Sequence, residues 1–187
     1  FTAGSAGMQL VELYNSSRLR IGRNFVRGTT PYGSLTSNDA SWIEYNGTSF
    51  TQRFAASAGA GGDGFSYRNV VINNTRIATP QLTTEGDAII PGTLTLTSGI
   101  VATTSSGLLR LANGATTTIG STASYIDGPM TYEVATSAAN TVRNFPLGKS
   151  GSYRPVVLTV THSNANSIVY TAEHFSSSAA GLGYTLP

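Results

Sequence analysis

Hydrophobic and polar positions alternate in short runs along most of the chain. Leu19 and Ile21 alternate with Arg18 and Arg20, and Leu94 and Leu96 alternate with Thr93, Thr95 and Thr97. A period of two is that of a strand with one buried face. Each run stops at a corner signal. Trp42-Ile43-Glu44-Tyr45 meets Asn46-Gly47, Val70-Val71-Ile72 meets Asn73-Asn74, and the Leu94–Thr97 run meets Gly99. Leu108, Leu109 and Leu111 lead to Asn113-Gly114, and Tyr125-Ile126 to Asp127-Gly128. Asn and Gly tolerate the backbone conformations that tight corners need. Helical periodicity is nearly absent; only Ala6 to Tyr14 tolerates a helix.

The spacing of these runs predicts the architecture. Ile72, Ile90 and Leu109 recur at about twenty residues, with Ile126 following at a similar interval. Short strands with Gly or Asn corners at that interval are what a β-solenoid needs, because a coil cannot bury its inner face alone and stacks on its neighbours. The runs read as one strand per turn of the coil. After about residue 130 the character changes. Met130–Val134, Asn144–Leu147, Val156–Val160 and Ile168–Thr171 read as longer antiparallel strands of a sandwich, with His162–Asn166 as a hairpin loop between the last two. The expectation is an all-β chain: an unplaced segment over 1–17, a β-solenoid over 18–129, and a partial antiparallel β-sandwich over 130–187.

Composition narrows the function. Charged residues are 11% of the 187, well below an ordinary soluble domain, while 40% hydrophobic content argues against wholesale disorder. Net charge is +2, and Arg18, Arg20, Arg23 and Arg27 form the one dense basic patch. It reads as a solvated strand face, with an anionic polymer as the sharper alternative; nucleic-acid binding wants more Lys and Arg over more of the chain. The absence of cysteine removes disulfides, thiolate metal sites and cysteine nucleophiles. No apolar run reaches the length of a membrane-spanning helix. A start at Phe1 and an ending at Leu186-Pro187 after only four sandwich strands suggest a processed product or a piece of something longer.

Three segments together resemble a known family. Ser41–Gly47 followed by Phe65–Asn74 is similar to a unit of strand, Asn-Gly, then aromatic-Asn-hydrophobic-x-Ile-Asn-Asn. Gly92-Thr93-Leu94-Thr95-Leu96-Thr97-Ser98-Gly99 resembles a solenoid strand of the same proteins. Tyr125–Met130, Phe145–Lys149 and Tyr153–Val156 resemble their exit from solenoid to sandwich. The family is the secreted, repeat-containing surface proteins of Bacteroidetes exported by the type IX system. The resemblance covers most of residues 18–187, while 1–17 and the glycine run Ala58–Gly64 depart from it. It implies an extracellular structural or adhesive role.

Candidate chemistry is sparse. His162 and His174 are the only histidines, and Glu173 beside His174 points to the opposite strand face. A serine triad lacks its Gly-x-Ser-x-Gly elbow. The carboxylates are Glu12, Asp39, Glu44, Asp63, Glu85, Asp87, Asp127, Glu133 and Glu173. Glu85 and Asp87 lie two residues apart, about 7 Å on one face, permissive for an inverting glycosidase pair. Glu85-Gly86-Asp87 also reads as a turn between coils, where acids are merely solvated. Lys149 is the sole lysine, too distant in sequence for a lyase base. Gly148-Lys149-Ser150 lacks the earlier glycine of a phosphate loop, where Arg143 stands, and reads as a polar turn. The run Gly61-Gly62-Asp63-Gly64 resembles calcium-binding coils but does not repeat, so the expectation is no cofactor, with a single structural calcium as the alternative. Asn15, Asn46 and Asn73 head formal glycosylation sequons. Trp42, Tyr45, Phe50, Phe54, Phe65 and Tyr67 read as core stacking, or as an aromatic platform for glycans.

These readings predict a non-catalytic structural or adhesive module of an extracellular cell-surface protein, acting as rigid spacer or binding surface. No catalytic, cofactor-binding or metal-binding residue is assigned. Its partners are other domains of the same long chain, identical subunits or extracellular glycans, with no nucleic acid and no membrane insertion. The alternatives are a subunit of a homopolymeric fibre, assembled by end stacking or strand addition, and a polysaccharide-active β-helix enzyme.

Overall fold

The computed structural model describes residues 10–25, 34–38, 40–57, 64–135, 137–163, 165–183 and 185. The described chain is all-β and winds as a solenoid whose strands fall on three walls, visited in the same order on every turn. β1 (Leu10–Leu13) and β2 (Arg18–Ile21) lie on the third and first walls. β3 (Ser34–Ser37), β4 (Trp42–Tyr45) and β5 (Gln52–Phe54) then trace the third, first and second walls. β6 (Phe65–Ser66), β7 (Asn69–Asn73) and β8 (Leu82–Thr84) repeat the circuit, as do β9 (Ala88–Ile90), β10 (Thr93–Ser98) and β11 (Val101–Ala102). β12 (Leu109–Leu111), β13 (Thr116–Thr117) and β14 (Ile126–Asp127) follow, and β15 (Met130–Val134) returns to the third wall.

Neighbouring coils pair in parallel on every wall. The third wall consists of two ladders joined through Ser57. Ser57 bridges Phe65, donates its N–H to the Asp87 carbonyl at 2.8 Å and accepts the Ile89 N–H on its hydroxyl at 2.8 Å.

Register turns the alternation of the sequence into columns. Ile43, Val70 and Leu94 stack inside the first wall, and Leu82, Val101, Ile126 and Leu147 inside the second. Ala88, Leu109 and Met130 stack inside the third, and all these side chains are fully buried. Each buried Val, Leu or Ile contributes about 1.5–3 kcal/mol relative to exposure, so the columns hold the coil together. The corner after β14 needs Gly128: its φ is +132°, and a Cβ there would lie 2.4 Å from the Thr103 carbonyl oxygen.

The interval of about twenty residues is right in scale, but its four markers do not form one column. Ile72 is on the first wall, Ile126 on the second, and Ile90 and Leu109 on the third, where their partners are Leu111 and Ala88. Each full turn carries three strands rather than one. Corner loops also stretch the period unevenly: Leu82 pairs with Gln52 thirty residues earlier and with Val101 nineteen later.

The far end is built differently. β16 (Ala138–Phe145) leaves the coil, β17 (Leu147–Lys149) returns to the second wall in parallel with β14, and β18 (Ser152–Tyr153) folds back on β17 as a hairpin. β19 (Val156–His162) pairs antiparallel with β16, and β20 (Ile168–Ala172) antiparallel with β15. Val134, Ala138 and Val160, with Leu158 and Tyr170 against them, form a small core beside the last coil. The Phe145 ring meets Tyr132 edge-on at 5.1 Å.

Several boundaries read from sequence shift accordingly. Leu10–Leu13, inside the segment left unplaced, is a strand rather than a helical turn, because Val11 and Leu13 pack against the core. Parallel stacking runs through Gly148 instead of ending at 129, because Met130 and Leu147 continue the inner columns. The strand expected over 144–147 is split at Pro146, which has no N–H to donate. The connection from β19 to β20 is not a hairpin loop: the two strands pair with different partners.

Candidate functional site

The outer face of the first wall carries the basic patch. Register sets Arg20 directly beside Glu44. Arg20 Nε donates to Glu44 Oε2 at 2.9 Å, Arg18 Nη1 lies 3.6 Å from the same oxygen, and Asn73 Nδ2 donates to Oε1 at 3.0 Å. Glu44 is only 4% exposed. Burial pushes its carboxyl up, but the Asn73 amide and the two guanidinium groups outweigh that and hold it below its ordinary value. Arg18 also sits over the Trp42 ring at 5.7 Å, and Arg23 over Phe50 at 4.5 Å. The patch is therefore largely engaged by the protein itself; Arg27 lies outside the described residues.

The same device recurs between other coils. Arg53 pairs with Glu85, and Arg110 Nη1 lies 3.2 Å from Asp87 Oδ2. The Leu108 N–H donates to Asp87 Oδ1 at 3.0 Å. Lys149 Nζ lies 2.9 Å from Asp127 Oδ1. The two acids weighed as a glycosidase pair thus face separate guanidinium groups from neighbouring coils. Each acid is thus engaged by its own partner rather than by the other.

A buried amide ladder fills the corner between the first and second walls. Gln52 Oε1 accepts the Gly47 N–H at 2.8 Å and Asn74 Nδ2–H at 2.9 Å, while Gln52 Nε2 donates to the Ile21 and Arg23 carbonyls at 2.6 and 2.7 Å. Asn74 Oδ1 accepts the Arg76 N–H at 2.9 Å. One coil on, Gln81 Oε1 accepts the Ile100 N–H at 2.7 Å and Nε2 donates to the Arg76 carbonyl at 2.9 Å. Corner backbone groups are left unpaired by the strands, and these side chains supply their partners. Sequence reasoning singled out none of Gln52, Asn74 or Gln81 for this. A polar residue at a corner in successive coils is the only signal.

The aromatic cluster divides. Tyr45, Phe54, Phe65 and Tyr67 are core: Tyr45 stacks on Phe54 at 4.9 Å, the Tyr45 and Tyr67 hydroxyls are 2.8 Å apart, and Tyr67 donates to the Ala55 carbonyl at 2.8 Å. Burial pushes the Tyr45 phenol up to about 12 and Tyr67 well above its usual value. Trp42 is half-buried and Phe50 is exposed, so a continuous aromatic platform is not formed.

The remaining candidates are dispersed. His162 lies at the end of β19, 6.4 Å from the Tyr170 ring, and His174 follows β20. Among the described residues no group of three or more His, Asp or Glu is placed to hold a metal. Glu12 lies on β1 and Glu133 on β15, with Glu173 just after β20; Asp39 and Asp63 lie outside the described residues. So do residues 58–63 of the glycine run offered for calcium; Gly64, at φ +77°, is described. Gly148-Lys149-Ser150 forms the β17–β18 hairpin, a polar turn. Of the sequon asparagines, Asn15 sits in a turn at φ +52°, and the Asn73 amide is spent on Glu44. No helix of the described residues is long and apolar enough to cross a membrane.

Among the hollows of the described surface, two lie beside the ends of the coil. One, of about 290 Å³, opens at the β1–β2 end among Val11, Leu19, Ile21 and Phe25. The other, of about 240 Å³, lies between the β17–β18 hairpin and the segment after β20, among Lys149, Arg154, His174 and Phe175. Comparisons with protein-family models, with curated proteins and with solved structures give no match.

Proposed function

We propose that the chain is a non-catalytic structural or adhesive module of an extracellular cell-surface protein, acting as a rigid spacer or a binding surface. The observation that carries this reading is the use made of the charged side chains. Glu44, Glu85, Asp87 and Asp127 are each tied to a basic residue of an adjacent coil, so these four carboxylates serve to fasten coils together. What such a body offers is shape and outer surface. The second wall, six strands deep with β18, stands about 24 Å tall at the spacing of paired strands. The resemblance to secreted Bacteroidetes surface proteins supports the extracellular setting.

The test is antibody labelling of intact source cells, together with incubation of the purified chain with a panel of polysaccharides. Surface labelling and no release of reducing ends are expected. Labelling only after cell lysis, or steady release of reducing ends, would overturn the reading.

The fibre-subunit reading has one observation in its favour. At the β1–β2 end, apolar side chains border an open hollow, and among the described residues neither strand is paired on its outer side. Sedimentation across a concentration series decides it: a fibre subunit forms larger species as concentration rises, and a spacer stays monomeric.

A further inference from the structure

We propose that the hollow between the β17–β18 hairpin and the segment after β20 binds a saccharide through a carboxylate or sulfate group. This rests on the surface-module reading and gives its adhesive half a place and a ligand class.

The argument starts from Arg154. Every other described arginine has a protein partner: carboxylates for Arg18, Arg20, Arg53 and Arg110, carbonyls for Arg76, aromatic rings for Arg23 and Arg143, and a contact for Arg68. The guanidinium of Arg154 is exposed and has none among the described residues. In a chain that fastens its arginines so consistently, an unfastened one at the mouth of a hollow is unusual. A guanidinium presents a planar fork matched to carboxylate or sulfate oxygens.

Its surroundings fit a sugar better than a bare anion. Lys149 and His174 line the same hollow, where Asp127 Oδ1 lies 2.9 Å from Lys149 Nζ and offsets its charge, so the free positive charge there is that of Arg154. The hydroxyls of Ser150 and Ser152 also line it and make no hydrogen bond within the described protein, leaving donors and acceptors for sugar hydroxyls. Phe175, 47% exposed, adds an aromatic side chain to the lining. At about 240 Å³ the hollow is below the ~300–1,000 Å³ of sites that enclose drug-sized ligands, so it suits one ring of a longer chain. The hairpin side is held in place. The Gly151 N–H donates to the Tyr125 hydroxyl at 2.9 Å, the Ser150 N–H to Asp127 Oδ2 at 3.3 Å and the Arg154 N–H to the Leu147 carbonyl at 2.8 Å. A pre-ordered site loses less entropy on binding.

The experiment is a calorimetric titration of the full chain with four probes: an oligogalacturonide, a sulfated oligosaccharide of similar length, a neutral oligosaccharide and inorganic sulfate. Arg154→Gln and Phe175→Ala are run beside the parent, with circular dichroism to show that the fold is intact. At least one charged oligosaccharide is expected to bind, the neutral one not, and sulfate much more weakly. Arg154→Gln should weaken binding by roughly tenfold or more, the loss expected for a charge-assisted hydrogen-bonded pair. The proposal falls if no charged oligosaccharide binds at concentrations on the order of 10 mM, if Arg154→Gln binds as the parent does, or if sulfate alone binds as tightly as the oligosaccharide. Such a failure leaves the surface-module reading untouched, because cell labelling and reducing-end release test that separately.

Discussion

Gln52 offers the sharpest test of how the corners are held. Its side chain is fully buried and makes four hydrogen bonds. Truncation to alanine does not orphan all four partners. The Ile21 carbonyl keeps the Asn46 N–H at 3.1 Å, and Asn74 Nδ2 keeps the Gln81 carbonyl at 3.3 Å. The Arg23 carbonyl can turn to water. The Gly47 N–H is left buried without an acceptor, which costs about 1–3 kcal/mol. Loss of one buried methylene adds about 0.8 kcal/mol and the cavity left by it and the carboxamide about 1 kcal/mol more, while release of a flexible side chain returns about 1.5–2 kcal/mol. The net destabilisation for Gln52→Ala is about 1–3 kcal/mol. With a urea dependence of about 2 kcal/mol/M, the unfolding midpoint falls by roughly 1 M at the centre of that range. Gln52→Glu is the stricter companion. It keeps shape and size but turns an oxygen toward the Ile21 and Arg23 carbonyls, so it should be at least as damaging at neutral pH and should recover as the carboxyl protonates in acid. Urea unfolding followed by tyrosine and tryptophan fluorescence measures both. A shift below about 0.3 M for Gln52→Ala, or a Gln52→Glu variant indifferent to pH, would refute the role given to the amide ladder.

Other expectations follow from the same structure. The Glu44 carboxyl is held below its unfolded value of 4.5, so its contribution is present above that pH and is lost as pH falls through the lower folded value. Glu44→Gln should flatten this acid limb in a urea series between about pH 5 and pH 2. The Tyr45 phenol is raised from 10.0 to about 12, so its contribution is intact below pH 10 and fades as pH climbs through that window; Tyr45→Phe should be less alkali-sensitive. Gly128→Ala combines a positive φ with a Cβ 2.4 Å from the Thr103 carbonyl oxygen, and thermal unfolding should show a loss of roughly 1–3 kcal/mol. Leu147→Ala should cost about 2–5 kcal/mol if Leu147 belongs to the inner column of the second wall, and a near-neutral result would detach β17 from the solenoid.

The alternation in Thr93–Ser98 and the corners at Gly99, Asn113-Gly114 and Asp127-Gly128 were readable because they depend on neighbours a few residues apart. Wall assignment was not, since it depends on which residue lies beneath which. Ile72 and Ile90 look equivalent in sequence, yet the length of the loop at 74–81 puts them on different walls. The charged pairs were hidden for the same reason. Arg20 and Glu44 meet because register aligns residues twenty-four apart, and no local pattern announces that. The far end was legible in part. Four longer strands were foreseen, but a Leu-Gly-Lys strand after Pro146 carries no mark of belonging to the coil until Ile126 is seen beneath Leu147. The hollow at Arg154 joins segments about twenty residues apart, and neither the Gly148-Lys149-Ser150 run nor His174, each weighed separately in the sequence, announces that they share one hollow.

The antiparallel strands at the far end give the molecule a direction. β18 and β20 occupy the last places on two walls with reversed polarity, so a further coil of the same hand has no matching template there. Between β8 and β14, by contrast, each strand of the second wall repeats the geometry of the one below. Gain or loss of one coil in that interior would leave both ends intact and move them apart or together by about 4.8 Å. The protein is in that sense a ruler with a fixed graduation, whose length can be reset in whole steps while the surface at its finished end stays the same.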